Sequence, residues 1–420
     1  MRNKMSFEKI SWQRLYYYAA LLYAFFIALD QQLATIALIV WAVFSLINFN
    51  RLSLNKTRYL FLLPLLYLTY LFGTVISGVT SLSFLEHKLS MLVFPLIFFL
   101  HVYTREERIR ILRFFVYGLV VGTALCVFMA FYRSMVFEDD GLKFIPNVLE
   151  GKAFLESIIY GGNHFFGNHF SMFHQTVYFG LYLCTGIAIL LFSQEVFNRK
   201  KRFILICAFT GVLFLISNKA AFLVLGLLYV YRILSAKISQ SKKAIIIIGF
   251  VTVGLLFAFI NPRFKESIRK LANNEIGVDK NARYDFATRI LSWDAALLLI
   301  GEKPLLGYGG GSAQQELNRV YTEKEYTFPL KEQLNAHNQF FQIWIENGLL
   351  GLVVLTGIFI ALFRVCRNVE MNRNLFFAIL LVVFVNMLFE SVFNRFSGVS
   401  FISFIVCFIF SETKERGGDQ

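Results

Sequence analysis

Long apolar stretches separated by short polar connections dominate the chain. A helix that crosses a bilayer needs roughly 20 mostly apolar residues. The pattern therefore predicts an all-α, polytopic membrane protein with about twelve transmembrane helices, and we expect residues 1–420 to form a single integral-membrane domain. The predicted spans lie near residues 15–29, 33–47, 59–76, 84–101, 114–131, 176–193, 203–217, 220–235, 244–261, 345–363, 375–392 and 397–411.

Lysine and arginine are distributed unevenly between the connections. One alternating set of connections holds 24 Lys and Arg against 8 Asp and Glu, whereas the other set holds 17 against 19. Because cytoplasmic loops of membrane proteins carry the excess of Lys and Arg, the first set is predicted to be cytoplasmic, together with both termini. The formal net charge of +14 thus reports topology, and we expect no nucleic acid among the partners.

The composition agrees with a membrane protein. Hydrophobic residues make up 57% of the chain and charged residues only 16%, whereas a soluble domain carries about 25% charged residues. A soluble enzyme, a disordered protein and a secreted disulfide scaffold are therefore excluded. The five cysteines lie mainly in apolar stretches, so no disulfide framework and no metal cluster is predicted.

Two long segments fall on the side opposite to the basic connections, at residues 132–175 and 262–339. The second is the large outer loop before the tenth span, and it holds 11 basic and 10 acidic residues. Loops of this length are usually functional or disordered. Amphipathic helix patterns and a glycine-rich turn favour an ordered loop with short helices, so we expect the chemistry at the outer face.

A histidine stands where this loop enters the tenth span. In Asn335-Ala336-His337, Asn335 is predicted to cap the helix and His337 to lie in its first turn, at the water–lipid boundary. A helix N-terminus disfavours imidazolium, so a neutral His337 could take a proton from a hydroxyl group. The alternative is a histidine that only anchors the helix. Glu346 falls on the opposite helix face and is expected to hold the helix against a neighbour or a loop.

Two cations on the outer side are candidates for binding an anion. Arg289 and Trp293 are four residues apart and are predicted to be neighbours on a helix surface. Arginine can grip a phosphate with two parallel donors, but an ion pair between Asp285 and Arg289 is the alternative. Lys219 stands in a tight outer turn between two spans, either to bind an anion or to extend to the interface.

The glycine-rich segment 304–312 contains Gly307 and Gly309 and superficially resembles a phosphate cradle. It lacks the Lys-Ser/Thr that closes a Walker loop, so a sharp turn between two helices is favoured. Three histidines recur every five residues, which places successive side chains about 140° apart on a helix and builds no metal site. These are His164, His169 and His174.

Two charges bracket the outer end of the eleventh span, Glu390 and Arg395. Charges buried at this depth should be paired. We expect these two to pair with each other, or with Lys219 or Arg289.

Taken in order, these motifs resemble the bacterial O-antigen ligase and polymerase superfamily. The segment that runs from His337 through Glu346 to Gly351 is similar to the signature of that superfamily. The other matching motifs are His174-Gln-Thr-Val-Tyr178, Ser217-Asn218-Lys219, Arg289 with Trp293, Pro304 with Gly307-Tyr308-Gly309, and Glu390-Ser391 with Arg395 and Gly398.

The resemblance implies a glycosyltransferase of the bacterial inner membrane with a periplasmic active site among membrane lipids. The donor would be a glycan on undecaprenyl diphosphate, and the acceptor a sugar hydroxyl on lipid A–core or another glycan. The family is thought to invert the anomeric centre without a metal or cofactor. His337 would be the base, Arg289 and Lys219 would bind the diphosphate, and His174 and Tyr178 would contact substrate.

Two departures from the family pattern concern the substrate contacts. Lys219 stands where the family usually has arginine, so it keeps the charge but loses the two-pronged donor. Gln175 stands where the family usually has proline.

Three other functions remain open. A polymerase that joins repeat units and a protein O-oligosaccharyltransferase share the donor, the leaving group and the site chemistry. A flippase or another transporter belongs to a different class. It is disfavoured because the sequence shows no internal repeat, nearly charge-free spans and one asymmetric outer loop.

Overall fold

A computed structural model describes residues 14–49, 54–55, 57–78, 83–139, 141–148, 151, 153–159, 162–261, 265, 269, 280, 285–369 and 372–412. Over these residues the chain is mostly helical, as predicted. The α-helices described are α1 (Leu15–Phe26), α2 (Gln31–Ile47), α3 (Leu62–Ile76), α4 (Ser83–Glu86), α5 (Ser90–Leu100), α6 (Arg105–Ser134), α7 (Phe154–Ile159), α8 (Thr176–Phe192), α9 (Arg199–Ile216), α10 (Lys219–Leu234), α11 (Gln240–Ile260), α12 (Asp285–Glu302), α13 (Ala313–Glu323), α14 (Thr327–Lys331), α15 (Gln339–Arg367), α16 (Arg373–Phe389) and α17 (Phe396–Phe410). Short 3₁₀ turns cover Arg58–Phe61, Gly167–His169 and Val392–Asn394.

Every predicted span coincides with one of these helices or with two consecutive ones. Within the described residues, four helical stretches are long and apolar enough to cross a membrane. They are Arg58–Ile76, Ser83–Leu100, Arg105–Ser134 and Gln339–Arg367. Shorter apolar helices include α1, α2, α8, α16 and α17. The number of spans and the side on which each loop lies remain predictions.

The helices around the later part of the chain pack into one bundle. Helix α8 contacts α16, α10 packs against both of them, and α15 contacts α3, α16 and α17. Their shared core is apolar and aromatic, with fully buried side chains such as Tyr182, Phe376 and Phe401. Large apolar side chains also face outward, among them Phe128 and Ile245, which is the expected surface of a helix that contacts lipid.

One feature of the segment 132–175 is absent from the predicted all-helical fold. Strands β1 (Met135–Glu138) and β2 (Gly141–Phe144) form an antiparallel hairpin directly after α6, with Met135 opposite Phe144. The hairpin is small, so the fold class stays helical.

The segment predicted as the large outer loop carries helices α12, α13 and α14. These helices form a second apolar cluster of their own, which contains Leu291, Leu317 and Tyr321 and reaches Ile345 on α15. The helical layer therefore rests on the N-terminal part of α15, which contains Glu346 and begins just after His337. The loop boundaries at 262 and 339 stay a prediction, because residues 262–264 and 270–279 are outside the described residues.

Helix α15 is broken at Gly348, whose φ of 62° is left-handed. The break frees backbone groups that a continuous helix would pair internally. The nitrogen of Leu349 donates instead to the carbonyl of Pro304 at 3.0 Å. A Cβ on Gly348 would lie 2.0 Å from the carbonyl oxygen of Leu305, so only glycine fits.

The turn that contains Gly307 and Gly309 supplies hydrogen-bond donors to the carbonyls that precede this break. It links α12 to α13, and the Tyr308 nitrogen donates to the carbonyl of Ile345 at 2.7 Å. The Gly309 nitrogen donates to the carbonyl of Glu346 at 2.9 Å. Both glycines have positive φ, 68° and 80°. Their contribution is thus structural, since they let the loop fit against α15.

Candidate functional site

His337 lies just before α15, where the backbone makes a tight turn. The helix is capped by Asn338, whose Oδ1 accepts from the nitrogens of Phe340 and Phe341. The predicted cap at Asn335 is therefore wrong, and His337 precedes the first helical turn. Asn335 instead accepts from the His337 nitrogen at 2.8 Å, which stabilises the turn. The φ of His337 is 45°, a strained value that occurs often at functional sites.

The imidazole of His337 contacts the carboxylate of Glu390. Nδ1 lies 3.3 Å from Oε2, and the side chains are 21% and 12% exposed. An ionised carboxylate can only accept, so Nδ1 is the donor in this contact. The expected partners of Glu390 were Arg395, Lys219 or Arg289, and this prediction is wrong. Glu390 ends α16 in an extended conformation, which directs it towards His337.

Helix α12 brings Trp293 next to His337. The indole nitrogen of Trp293 lies 3.5 Å from the carbonyl oxygen of His337, and its ring stands nearly perpendicular to that of Phe341. Arg289 is half-buried one turn earlier on the same helix face, about 6 Å along the axis. The alternative ion pair with Asp285 involves a side chain outside the described residues.

Lys219 begins α10. The preceding residue, Asn218, caps this helix by accepting from the Ala221 nitrogen at 3.0 Å, and Ser217 has a left-handed φ of 49°. The N-terminal end of α10 packs closely on α8. A Cβ on Gly180 would lie 3.9 Å from the Asn218 Cβ. Lys219 is half-buried.

Tyr178 and Arg395 border a polar cavity beside Glu390. Tyr178 is buried and interacts electrostatically with both Glu390 and Arg395. The cavity has a volume of about 430 Å³, and its lining also includes His174 and Gln175. It is therefore large enough to hold a sugar unit, with an exposed guanidinium at its rim.

His174 is the most unusual side chain of this cavity. It is 7% exposed, and burial lowers its pKa to about 4, an effect that Asp30 partly offsets. The ring hydrogen-bonds the backbone of Ala28, whereas Nε2 has no hydrogen-bond partner within the described residues. His174 is thus neutral at neutral pH.

Glu346 lies within α15, whereas His337 precedes this helix, so the prediction that the two occupy opposite faces of one helix does not apply. It is 2% exposed and its Oε1 accepts from Gln342 at 2.7 Å. Lys88 is the cation that interacts electrostatically with Glu346. Lys88 was not among the residues predicted from the sequence. A lysine inside an apolar stretch is the signal that could have found it.

The candidate residues converge on one end of the bundle. The N-terminal ends of α8, α10, α15 and α17 and the C-terminal end of α16 supply them. The structure joins His337, Glu390 and Trp293 by direct contact, and Tyr178 interacts electrostatically with both Glu390 and Arg395. Within the part of the chain that the structure describes, no three His, Cys, Asp or Glu side chains cluster as metal ligands. The centre of this arrangement is an imidazole oriented by a carboxylate.

The chain is similar to known proteins over part of its length. Residues 203–356 match the family described as O-antigen ligase. The resemblance to the O-antigen ligase superfamily is thereby confirmed. The O-antigen ligase match includes Lys219, Arg289 and His337, whereas Tyr178 and Glu390 lie outside it.

Individual relatives match over shorter shares. An O-antigen ligase of Salmonella typhimurium is 27% identical over 172 residues, which cover 35% of this chain and 40% of the relative. A Haemophilus influenzae protein of uncharacterised function is 27% identical over 135 residues, or 28% of this chain and 32% of the relative. A Rickettsia conorii protein whose name contains the words polysaccharide ligase is 30% identical over 198 residues, 45% of each chain. The chain thus spans less than half the length of each of these relatives.

Proposed function

We propose that the protein is a glycosyltransferase of the O-antigen ligase type. It moves a glycan from undecaprenyl diphosphate to a sugar hydroxyl of lipid A–core, at the periplasmic face of the bacterial inner membrane. The contact of 3.3 Å between His337 and Glu390 is the observation that carries this proposal. It supplies an imidazole oriented by a carboxylate, which is a group suited to activating a hydroxyl.

The proposed reaction is a single displacement that inverts the anomeric centre. Nε2 of His337 takes the proton of the acceptor hydroxyl while the hydroxyl oxygen attacks the anomeric carbon. The bond between that carbon and the diphosphate oxygen breaks, and the diphosphate leaves with the electron pair. Glu390 stabilises the imidazolium that forms. General base catalysis of this kind contributes typically 10²–10⁴-fold to a rate.

The leaving diphosphate needs compensation for its developing charge. We assign this role to Arg289 and Lys219, which need no metal ion to provide it. Preorganised cations in a site of low polarity stabilise such charge strongly. Arg289 offers two parallel donors, whereas Lys219 acts as a point charge. His174, Tyr178 and Arg395 border the polar cavity that we assign to sugar units, and the prenyl chain would lie among the membrane lipids.

The surface polysaccharide of a deletion strain tests the proposed function. We expect the loss of every glycan attached to lipid A, with restoration by the wild-type gene. A single remaining repeat unit would indicate a polymerase instead, and normal lipopolysaccharide with missing glycoproteins would indicate a protein transferase. Glycan transfer by purified protein in detergent, without vesicles, would exclude a transporter.

A further inference from the structure

Lys88 is a lysine buried inside the bundle, between α4 and α5. It is 1% exposed, and its Nζ donates to the carbonyl oxygen of Phe393 at 2.9 Å. The ammonium also lies 4.5 Å from the ring centre of Tyr70 and 4.1 Å from that of Phe84. A buried ammonium is unfavourable unless its hydrogen bonds and charge are satisfied. The Lys88 contacts therefore constrain the position of Phe393.

Phe393 lies in the turn that connects Glu390 to Arg395. Its nitrogen donates to Oε1 of Gln339 at 2.7 Å, so both of its backbone groups have side-chain partners. Gln339 is fully buried and is only two residues from His337. The turn after α16 is thus held on one side by the start of α15 and on the other by Lys88.

Glu346 completes this buried network. Its carboxylate compensates the charge of Lys88 and interacts with Tyr70, which also lies under the Lys88 ammonium. Gln342 donates to Glu346 at 2.7 Å and accepts from the Ala336 nitrogen at 3.0 Å. The network therefore runs from the residue before His337 to the turn after Glu390.

We propose that Lys88 is a positioning residue that holds Glu390 opposite His337, through the carbonyl of Phe393 and balanced by Glu346. It does not touch the reacting atoms. The inference rests on the proposed role of His337 as the base. A lysine is suited to this task because it satisfies a carbonyl that no helix pairs and supplies the charge that the buried Glu346 requires.

Transfer kinetics of purified variants test the inference. Lys88→Met should lower kcat about 10–100-fold and leave KM for the donor within about threefold, and Lys88→Arg should recover a large part of the loss. In the Glu390→Ala background, Lys88→Met should lower kcat by less than about a further threefold, because both changes act through one contact. The proposal would be overturned if the double variant lost the full product of the two single losses in kcat. It would also be overturned if Lys88→Arg recovered no activity.

Lys201→Met is the matched control. The Lys201 ammonium also lies near two aromatic rings, 5.0 Å from Phe197 and 5.6 Å from Tyr117, but it belongs to α9. Its kcat should stay within about twofold of the wild type. If Lys88→Met does not fold, Gln339→Leu removes the other support of Phe393 and should give the same pattern.

Cross-linking gives a readout that does not depend on glycan transfer. His337→Cys and Glu390→Cys are combined in a Cys207→Ser background, since the other four cysteines are buried. A short bifunctional thiol reagent should join the two cysteines readily with Lys88 present and several-fold less with Lys88→Met, because side chains that meet at their tips leave the cysteines too far apart for a direct disulfide. Equal yields would refute the positioning role. If the wild-type protein transfers no glycan, the proposed function fails, but this experiment still decides whether Lys88 positions the pair.

Discussion

Nδ1 of His337 lies 3.3 Å from a carboxylate oxygen of Glu390, although 53 positions separate the two residues in the chain. The contact joins the turn before α15 to the extended residue that ends α16. It orients the imidazole through Nδ1, and under the proposed function the other nitrogen, Nε2, would face the substrate hydroxyl. A carboxylate in this place also stabilises the imidazolium that proton transfer would produce.

Replacement of this carboxylate should impair turnover more than binding. Glu390→Gln is expected to lower kcat roughly 10–100-fold with little change in KM, because the imidazole loses its charged partner. Steady-state transfer of a lipid-linked glycan by purified protein provides the measurement. Glu316→Gln is the control, since Glu316 forms only a partly exposed ion pair with Arg319. A variant of Glu390 with kcat within twofold of wild type would contradict this role.

The break in α15 should make Gly348 intolerant of any side chain. Gly348→Ala is expected to destabilise the protein by about 2–4 kcal/mol, because its Cβ would clash with the Leu305 carbonyl and its φ is positive. Gly357→Ala on the same helix meets nothing within 4 Å and should be neutral or stabilising by up to about 1 kcal/mol. Thermal unfolding in detergent separates the two. Equal melting temperatures would argue against the observed break.

Acid should destabilise the fold in part through His174. Burial lowers its pKa from 6.5 to about 4. Between these pH values His174 is therefore protonated in the unfolded chain but not in the folded protein. Above pH 6.5 this effect is absent, and stability falls as the pH drops from 6.5 to 4, by up to about 3 kcal/mol. His174→Gln should weaken the dependence of the melting temperature on pH between 6.5 and 4. His169→Gln, at an exposed position, should leave that dependence unchanged. Parallel profiles for wild type and His174→Gln would disprove the effect.

The two cations should differ in their tolerance of exchange. Arg289→Lys is expected to lower kcat/KM by about tenfold or more, because lysine cannot grip a phosphate with two donors. Lys219→Arg should retain activity or raise it, since it adds a donor pair. Arg319→Lys, in a surface ion-pair network on α13, controls for loss of guanidinium. Unchanged transfer by Arg289→Lys would favour a structural role for Arg289.

Much of the helical fold could be predicted, because apolar stretches of span length report directly on burial or lipid contact. The break at Gly348 could not, since glycine is common in membrane helices and the groups that repair the break come from the distant Pro304–Gly309 loop. The hairpin after α6 could have been predicted, because the sequence Asp139-Asp140-Gly141 between two apolar runs is typical of a tight turn.

The site was predictable in its residue types but not in its pairings. His337, Arg289 and Trp293 were candidates from local sequence, because spacing and residue chemistry are local properties, and the structure brings His337 and Trp293 into contact. The partner of Glu390 was not, since it depends on how the ends of α15 and α16 meet. Lys88 was missed for the same reason, because its main contact, Phe393, lies 305 positions away.

Glycan transfer by purified His337→Ala from a lipid-diphosphate-linked donor tests the central claim most directly. Exposed His87→Ala is the control for loss of an imidazole. The account predicts that His337→Ala folds and melts like the wild type but loses at least about 100-fold in kcat, within the range of general base catalysis. Transfer at a near-normal rate by this variant would contradict the assignment of His337 as the base.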